Sequence, residues 1–366
     1  MVIVIVFSFA AVLFSYLESI GRMKHGMFIG FIMITSLAAI HYDYGMDYMS
    51  YMDTFDKVVN GHYTFYELIV GEVLRQHEVG WAILNWLFGY LGKYGFFWMV
   101  AILSIFQNII YYRFIRNYVP QKWWILAVMI YVFSTHYYLI NFSMMRQGLA
   151  IALVLWSYDY ICQKKMLPAL LILACAPLIH RSSLIMVPFA FWEYLPLKKG
   201  SFYVVLYSAI FIILFLSREL LDQIFGVVFQ FEDFEYYYEA HGSKTNNSHF
   251  GIGFFLNLIP FVVSLRFLGK NDVDNDKKRL VALACIGTMI LPFTQIIALA
   301  NRLGLYFSVF NLASIPYAYD AINNKVAKST LVIVYVGMLF LEYTIFFQNE
   351  TFFLSYAKFH TIFSVI

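Results

Sequence analysis

Apolar segments follow one another along nearly the whole chain, and the charged residues fall in the short stretches between them. Segments 1–20, 27–40, 96–112, 123–140, 147–162, 166–180, 182–196, 201–217, 252–268, 280–300, 303–322 and 329–347 read as helices crossing a bilayer, each of which needs about 20 apolar residues. Two of them, 27–40 and 182–196, are short for a crossing. Only 13% of the 366 residues are charged and the mean hydropathy is +0.70. A soluble fold carries about 25% charged residues, so this chain lacks the polar cover that water demands. The expectation is an all-α fold: a polytopic transmembrane helical bundle of about 12 spans (roughly 10–14), one integral membrane domain over 1–366. Met1 to Ser19 has no basic start and no clear small-residue cleavage site, and reads as a retained helix. Cys162, Cys175 and Cys285 sit in or beside apolar runs and read as free buried thiols, not as a disulfide or metal set.

Basic residues in short loops orient such a bundle. Arg22 and Lys24, Arg113 to Lys122, Lys164 and Lys165, Lys198 and Lys199, Arg266 to Arg279, and Lys325 and Lys328 fall in alternate loops, which predicts one cytoplasmic face. Segment 79–92 breaks the alternation and reads as a short re-entrant or interfacial helix, tolerated where protein or a wet cavity surrounds it. Two longer outer loops are expected, 41–95 including that segment, and 218–251.

The outer turns hold unusual residues. Arg146 and Gln147, His180 and Arg181, and Asn301 and Arg302 bring three guanidiniums to one face, against the positive-inside trend. A charge in the hydrocarbon layer costs roughly 2.5–3.5 kcal/mol on insertion scales. An anionic ligand offsets that cost, because the guanidinium fork matches phosphate oxygens. The plainer reading pairs each Arg with an outer carboxylate such as Asp43, Asp47 or Glu78, or lets it snorkel to the interface. His180 reads as a proton carrier or phosphate donor, or as a cap on the last carbonyls of its helix. Asp43, Asp47, Asp53 and Asp56 crowd the first outer loop and offer a general base. They also offer a weak divalent-metal site, without the spacing of a calcium loop; no cofactor is expected. Tyr51, with Tyr42, Tyr44, Tyr48 and Tyr236 to Tyr238, suits sugar stacking or an interfacial belt equally. Phosphate-cradling glycine loops, nucleophile elbows, paired zinc ligands and basic nucleic-acid patches are missing from the sequence.

Five stretches resemble one family. Gly45-Met-Asp47-Tyr48-Met-Ser-Tyr51, Glu78-Val-Gly80 with Leu84-Asn85, Met145-Arg146-Gln147-Gly-Leu-Ala150, His180-Arg-Ser-Ser-Leu-Ile185 and Arg302-Leu-Gly-Leu-Tyr306 occur in that order. Together they are similar to the motifs of the EpsG family of exopolysaccharide and O-antigen (Wzy-type) polymerases; Val79 departs from the family's proline. The resemblance implies polymerisation of undecaprenyl-diphosphate-linked oligosaccharide units at the periplasmic face of a bacterial inner membrane. It implies a diphosphate held by Arg146, Arg181 and Arg302, and a base among Asp47, Glu78 and His180. Tyr51, Gln147 and Tyr306 would contact sugar or orient these groups. Membrane lipids and a chain-length regulator protein are the expected partners. An O-antigen ligase would use similar residues on the same face. A flippase places its key residues near the midplane, often in inverted repeats, which this sequence lacks. A membrane acyltransferase would show a central buried His, and a structural subunit of a synthesis complex is the remaining competitor.

Overall fold

The computed structural model describes residues 1–61, 63–70, 78–194, 199–216, 252–290, 293 and 300–364. The second expected outer loop, 218–251, lies outside the described residues. The chain divides into two compact units, Met1–Ala190 with Leu339–Ile366, and Phe191–Met338.

The first unit begins with α1 (Val2–Ser19), α2 (Gly26–Ile40), α3 (Tyr48–Asn60), α4 (Phe65–Val70) and α5 (Val79–Gly89). It continues through α6 (Gly95–Tyr118), α7 (Trp124–Phe133), α8 (Ile140–Ser143), α9 (Met145–Cys162) and α10 (Met166–Ile179) into 3-10 turns from Arg181. The second unit holds α11 (Gly200–Leu216), α12 (Ile252–Leu268), α13 (Asn275–Ile290), α14 (Ala300–Ser308) and α15 (Asn311–Asp320). Next, α16 (Lys325–Gln348) runs from the second unit back into the first, to which α17 (Glu350–Ala357) belongs. A two-residue antiparallel ladder, β1 (His41–Tyr42) with β2 (His360–Thr361), is the one departure from helix among the described elements.

Three described helices are long and apolar enough to cross a membrane: Val2–Ser19, Gly92–Tyr118 and Lys325–Gln348. On α6, Trp98, Ile102, Ile105 and Ile109 are all exposed. Their three- and four-residue spacing makes one apolar stripe, a face that lipid, not water, solvates. The protein is membrane-integral and all-α; the expected count of about 12 crossings is not confirmed among the described residues. The other apolar helices are 10–17 residues long.

The physical reasons lie in the breaks. Segment 123–140 stops being helical at Phe133, where Tyr138 N–H reaches back to the Tyr131 carbonyl at 3.1 Å. Segment 303–322 is interrupted between α14 and α15. Segment 182–196 winds as 3-10 turns over Arg181–Tyr194 with a kink at Phe191. Cys285 is buried, but Cys162 is half-buried and Cys175 exposed, so the thiols are free without all being buried.

Two ion-pair groups tie the first unit at one end. Glu18 accepts from Arg116 Nη1 at 3.0 Å and from Met27 N–H at 2.8 Å. Asp159 accepts from Arg113 Nη2 at 3.0 Å and from the Tyr118 hydroxyl at 2.8 Å. Asp159 lies near the C-terminal end of α9 and Arg146 at its start, about 20 Å apart at 1.5 Å per residue.

α3, α4 and α5 pack around Val58, Leu68 and Ala82. At 11 residues, α5 is about 16 Å long, half of what a crossing requires.

Candidate active site

Glu78 is the hub. It stands at the N-cap of α5 with extended backbone and is 6% exposed. Its Oε2 accepts from Arg146 Nη1 at 2.6 Å. Its Oε1 takes His180 Nδ1 at 3.2 Å and the Arg181 backbone N–H at 3.3 Å. Two segments 68 and 102 positions further along the chain thus meet on the Glu78 carboxylate.

Each partner is placed by a helix end. Arg146 opens α9, and His180 closes α10 with its N–H on the Ala176 carbonyl at 2.9 Å. The His180 ring turns to Glu78 and not to the last carbonyls of its own helix. Gly80 makes the approach of α5 to α10 close enough. A Cβ there would lie 2.7 Å from the Leu178 carbonyl oxygen, nearer than any side chain tolerates.

Burial pushes the Glu78 carboxyl up, but the His180 hydrogen bond and the Arg146 charge outweigh it and hold the group at about 2. The acid is therefore ionised at neutral pH. With both oxygens engaged, it is an acceptor that orients its neighbours. If it accepts from Nδ1–H, the lone pair of His180 stays on Nε2.

Tyr51, on α3, roofs the cluster. The Arg146 guanidinium lies 5.6 Å from its ring centroid, within cation–π range. Trp81 packs edge-on against the same ring at 5.3 Å. Burial raises the Tyr51 phenol, with Arg146 pulling it down and Asp47 pushing it up. Asp47 is one turn earlier, its carbonyl accepting the Tyr51 N–H at 3.0 Å.

The turn that carries Asp47 is clamped from far along the chain. Gly45 N–H donates to the Ser355 carbonyl at 3.0 Å and Met46 N–H to Ser143 Oγ at 3.1 Å. Gly45 has φ +116°, and a Cβ would fall 2.5 Å from the Phe142 carbonyl oxygen; only glycine fits. The Tyr44 ring packs on Phe142, Tyr356 and Phe359 at 5.0–5.1 Å.

Asp47, Tyr51, Glu78, Arg146, His180 and Arg181 are therefore neighbours in the first unit. Gln147 is buried one residue along α9 from Arg146. The Arg181 side chain is exposed and has no ion-pair partner among the described residues. Arg302 and Tyr306 lie one turn apart on α14, in the second unit, Tyr306 fully buried. Among the described residues, no three His, Cys, Asp or Glu gather closely enough to hold a metal ion. Trp81, Ser143 and Tyr356 were not legible as site residues. Their types are ordinary in membrane helices, and no spacing pattern joins them to positions 45–51.

A family model described as the EpsG family matches residues 24–358. The chain belongs to the EpsG family. The match takes in Glu78, Arg146, His180 and Arg302 alike. No curated protein and no solved structure matches the chain. EpsG membership, that of a Wzy-like polymerase family, agrees with the motif resemblance.

Proposed function

We propose that this EpsG-family protein polymerises undecaprenyl-diphosphate-linked oligosaccharide units into O-antigen or exopolysaccharide at the periplasmic face of the bacterial inner membrane. In this reading a hydroxyl of the acceptor unit attacks the anomeric carbon of the donor. The bond from that carbon to the diphosphate oxygen breaks, and undecaprenyl diphosphate leaves with the electron pair. His180 Nε2 takes the hydroxyl proton. Glu78 holds the imidazole in the required tautomer and stabilises the imidazolium once formed. Arg181 holds the diphosphate, where charge develops as the bond breaks; the same role for Arg302 rests on its sequence motif alone. Arg146 serves the same anion while neutralising Glu78. Asp47, Tyr51, Gln147 and Tyr306 orient the sugars.

The observation that carries this reading is the Glu78 carboxylate bridging His180 and Arg146. An oriented imidazole beside cations, in an EpsG-family chain, suits glycosyl transfer from a diphosphate. The test is complementation of a strain deleted for this gene by His180→Ala, Arg146→Ala and Arg302→Ala at matched membrane abundance. The surface glycan is then run on a gel. Collapse of the ladder to core plus a single unit supports polymerisation. Loss of every band, with lipid-linked units accumulating, would move the assignment to ligation or flipping. An unchanged ladder would remove these residues from the chemistry.

A further inference from the structure

The second unit has a pocket that the polymerisation chemistry does not use. Its volume is about 530 Å³, and it opens where α12 ends and α16 begins. Arg266 and Lys270 are its charged lining residues, and among the described residues no acidic one lines it. Two asparagines, Asn323 and Asn324, stand exposed at the mouth.

The two cations are held in different ways. Lys270 Nζ donates to the Ala321 carbonyl at 2.8 Å, which fixes it at the C-terminal end of α15. Arg266 is exposed, with no ion-pair partner among the described residues. Two of the nearby carboxylates are engaged elsewhere, Asp276 by Arg279 at 3.2 Å and Asp320 by Lys328 at 3.9 Å, and neither Asp272 nor Asp274 lines the pocket. The pocket is thus a positive site in which Lys270, one of its three N–H donors spent on Ala321, stands beside the exposed Arg266, and it fits an anion.

The walls say which anion. Val263 and Leu331 line the pocket on its two helices. Val334 continues the Leu331 face of α16 three residues on, and Val262 and Val334 are exposed at 54% and 43%. A ligand seated there has its charged end on Arg266 and Lys270, and apolar surface running along both helices. This end of the unit also carries the Arg266–Arg279 and Lys325–Lys328 basic clusters, the side where anionic headgroups are attracted.

We propose that this pocket binds an anionic phospholipid, its phosphate on Arg266 and Lys270 and an acyl chain between α12 and α16. The proposal is independent of the polymerase assignment. A pocket of this volume suits a headgroup, and basic pockets between membrane helices hold such groups.

The test uses the full-length protein in detergent, titrated with phosphatidylglycerol, phosphatidylcholine or inorganic phosphate. Thermal unfolding and native mass spectrometry are read together. Phosphatidylglycerol should raise the midpoint and survive as an adduct; the other two should do neither. Arg266→Ala should weaken phosphatidylglycerol binding about fivefold, the effect of one basic contact near a membrane surface. Lys270→Gln, which keeps a donor for the Ala321 carbonyl, should weaken it similarly and guards against misfolding. Equal protection by phosphatidylcholine, equal protection by inorganic phosphate, or unchanged binding by both variants would overturn the proposal.

Discussion

Arg146 and His180 are each held by a different oxygen of Glu78, at 2.6 Å and 3.2 Å. One carboxylate therefore sets the position of both a cation and an imidazole. Removing Arg146 leaves that carboxylate buried with one of its three partners gone. Arg146→Ala should destabilise the purified protein by about 3 kcal/mol, the low end for a broken buried pair, since the Arg146 side chain is 22% exposed. Arg146→Met combined with Glu78→Gln should recover part of this loss. A double-mutant cycle by thermal unfolding measures the coupling; strict additivity would mean the pair contributes nothing.

His180→Gln keeps a hydrogen-bond donor for Glu78 but removes the basic nitrogen. It should fold normally and lower polymer synthesis by about 10²–10⁴-fold, the range of a lost acid–base group. Polymer made per unit of protein in membranes reports it. Near-normal synthesis would assign His180 to structure.

The Glu78 carboxyl is held at about 2, below its ordinary 4.5. A depressed carboxylate contributes stability that is complete above 4.5 and is lost as pH falls through about 2. Unfolding midpoints should therefore be insensitive to Glu78 between pH 5 and 8 and fall more steeply below that range, ~4.5 to ~2, in the wild type than in Glu78→Gln. Parallel acid limbs in the two proteins would contradict the site's electrostatics.

Gly80→Ala puts a methyl 2.7 Å from the Leu178 carbonyl oxygen, whereas Gly337 on α16 has nothing within 4 Å. The first substitution should cost about 1–3 kcal/mol as an overpacked contact and reduce polymer synthesis by parting Glu78 from His180. Gly337→Ala should be silent in both. Equal behaviour of the two variants would show that α5 is free to shift.

Tyr356 is 3% exposed and packs on Tyr44, ahead of the turn bearing Asp47. Tyr356→Ala should cost about 3 kcal/mol and impair synthesis without lowering membrane insertion. Protease digestion of intact membranes should find the 45–51 region newly cleavable; unchanged protection would mean that the C-terminal segment does not clamp it.

The sequence by itself determined the solvent, the class and most of the site's vocabulary. Apolar runs with so little charge leave the bilayer as the only medium that solvates them. At 79–92 the loop charges left a re-entrant helix or a crossing open, and the 11 residues of α5 favour the first. Ordered motifs around Asp47, Glu78, Arg146, His180 and Arg302 named the family, because local spacing survives in one dimension. Tertiary structure alone decided which carboxylate meets which cation. Asp43, Asp47 and Glu78 were equivalent partners for Arg146 on paper; the approach of α5 to α10 at Gly80 selected Glu78. It also decided where apolar runs bend, as at Phe133 and Phe191, since hydropathy reports the medium around a segment and not the hydrogen bonds that turn it. The clamp of Ser355 and Tyr356 on Gly45 and Tyr44 joins residues some 310 positions apart. No period or spacing encodes such a contact, which exists only once the helices have packed.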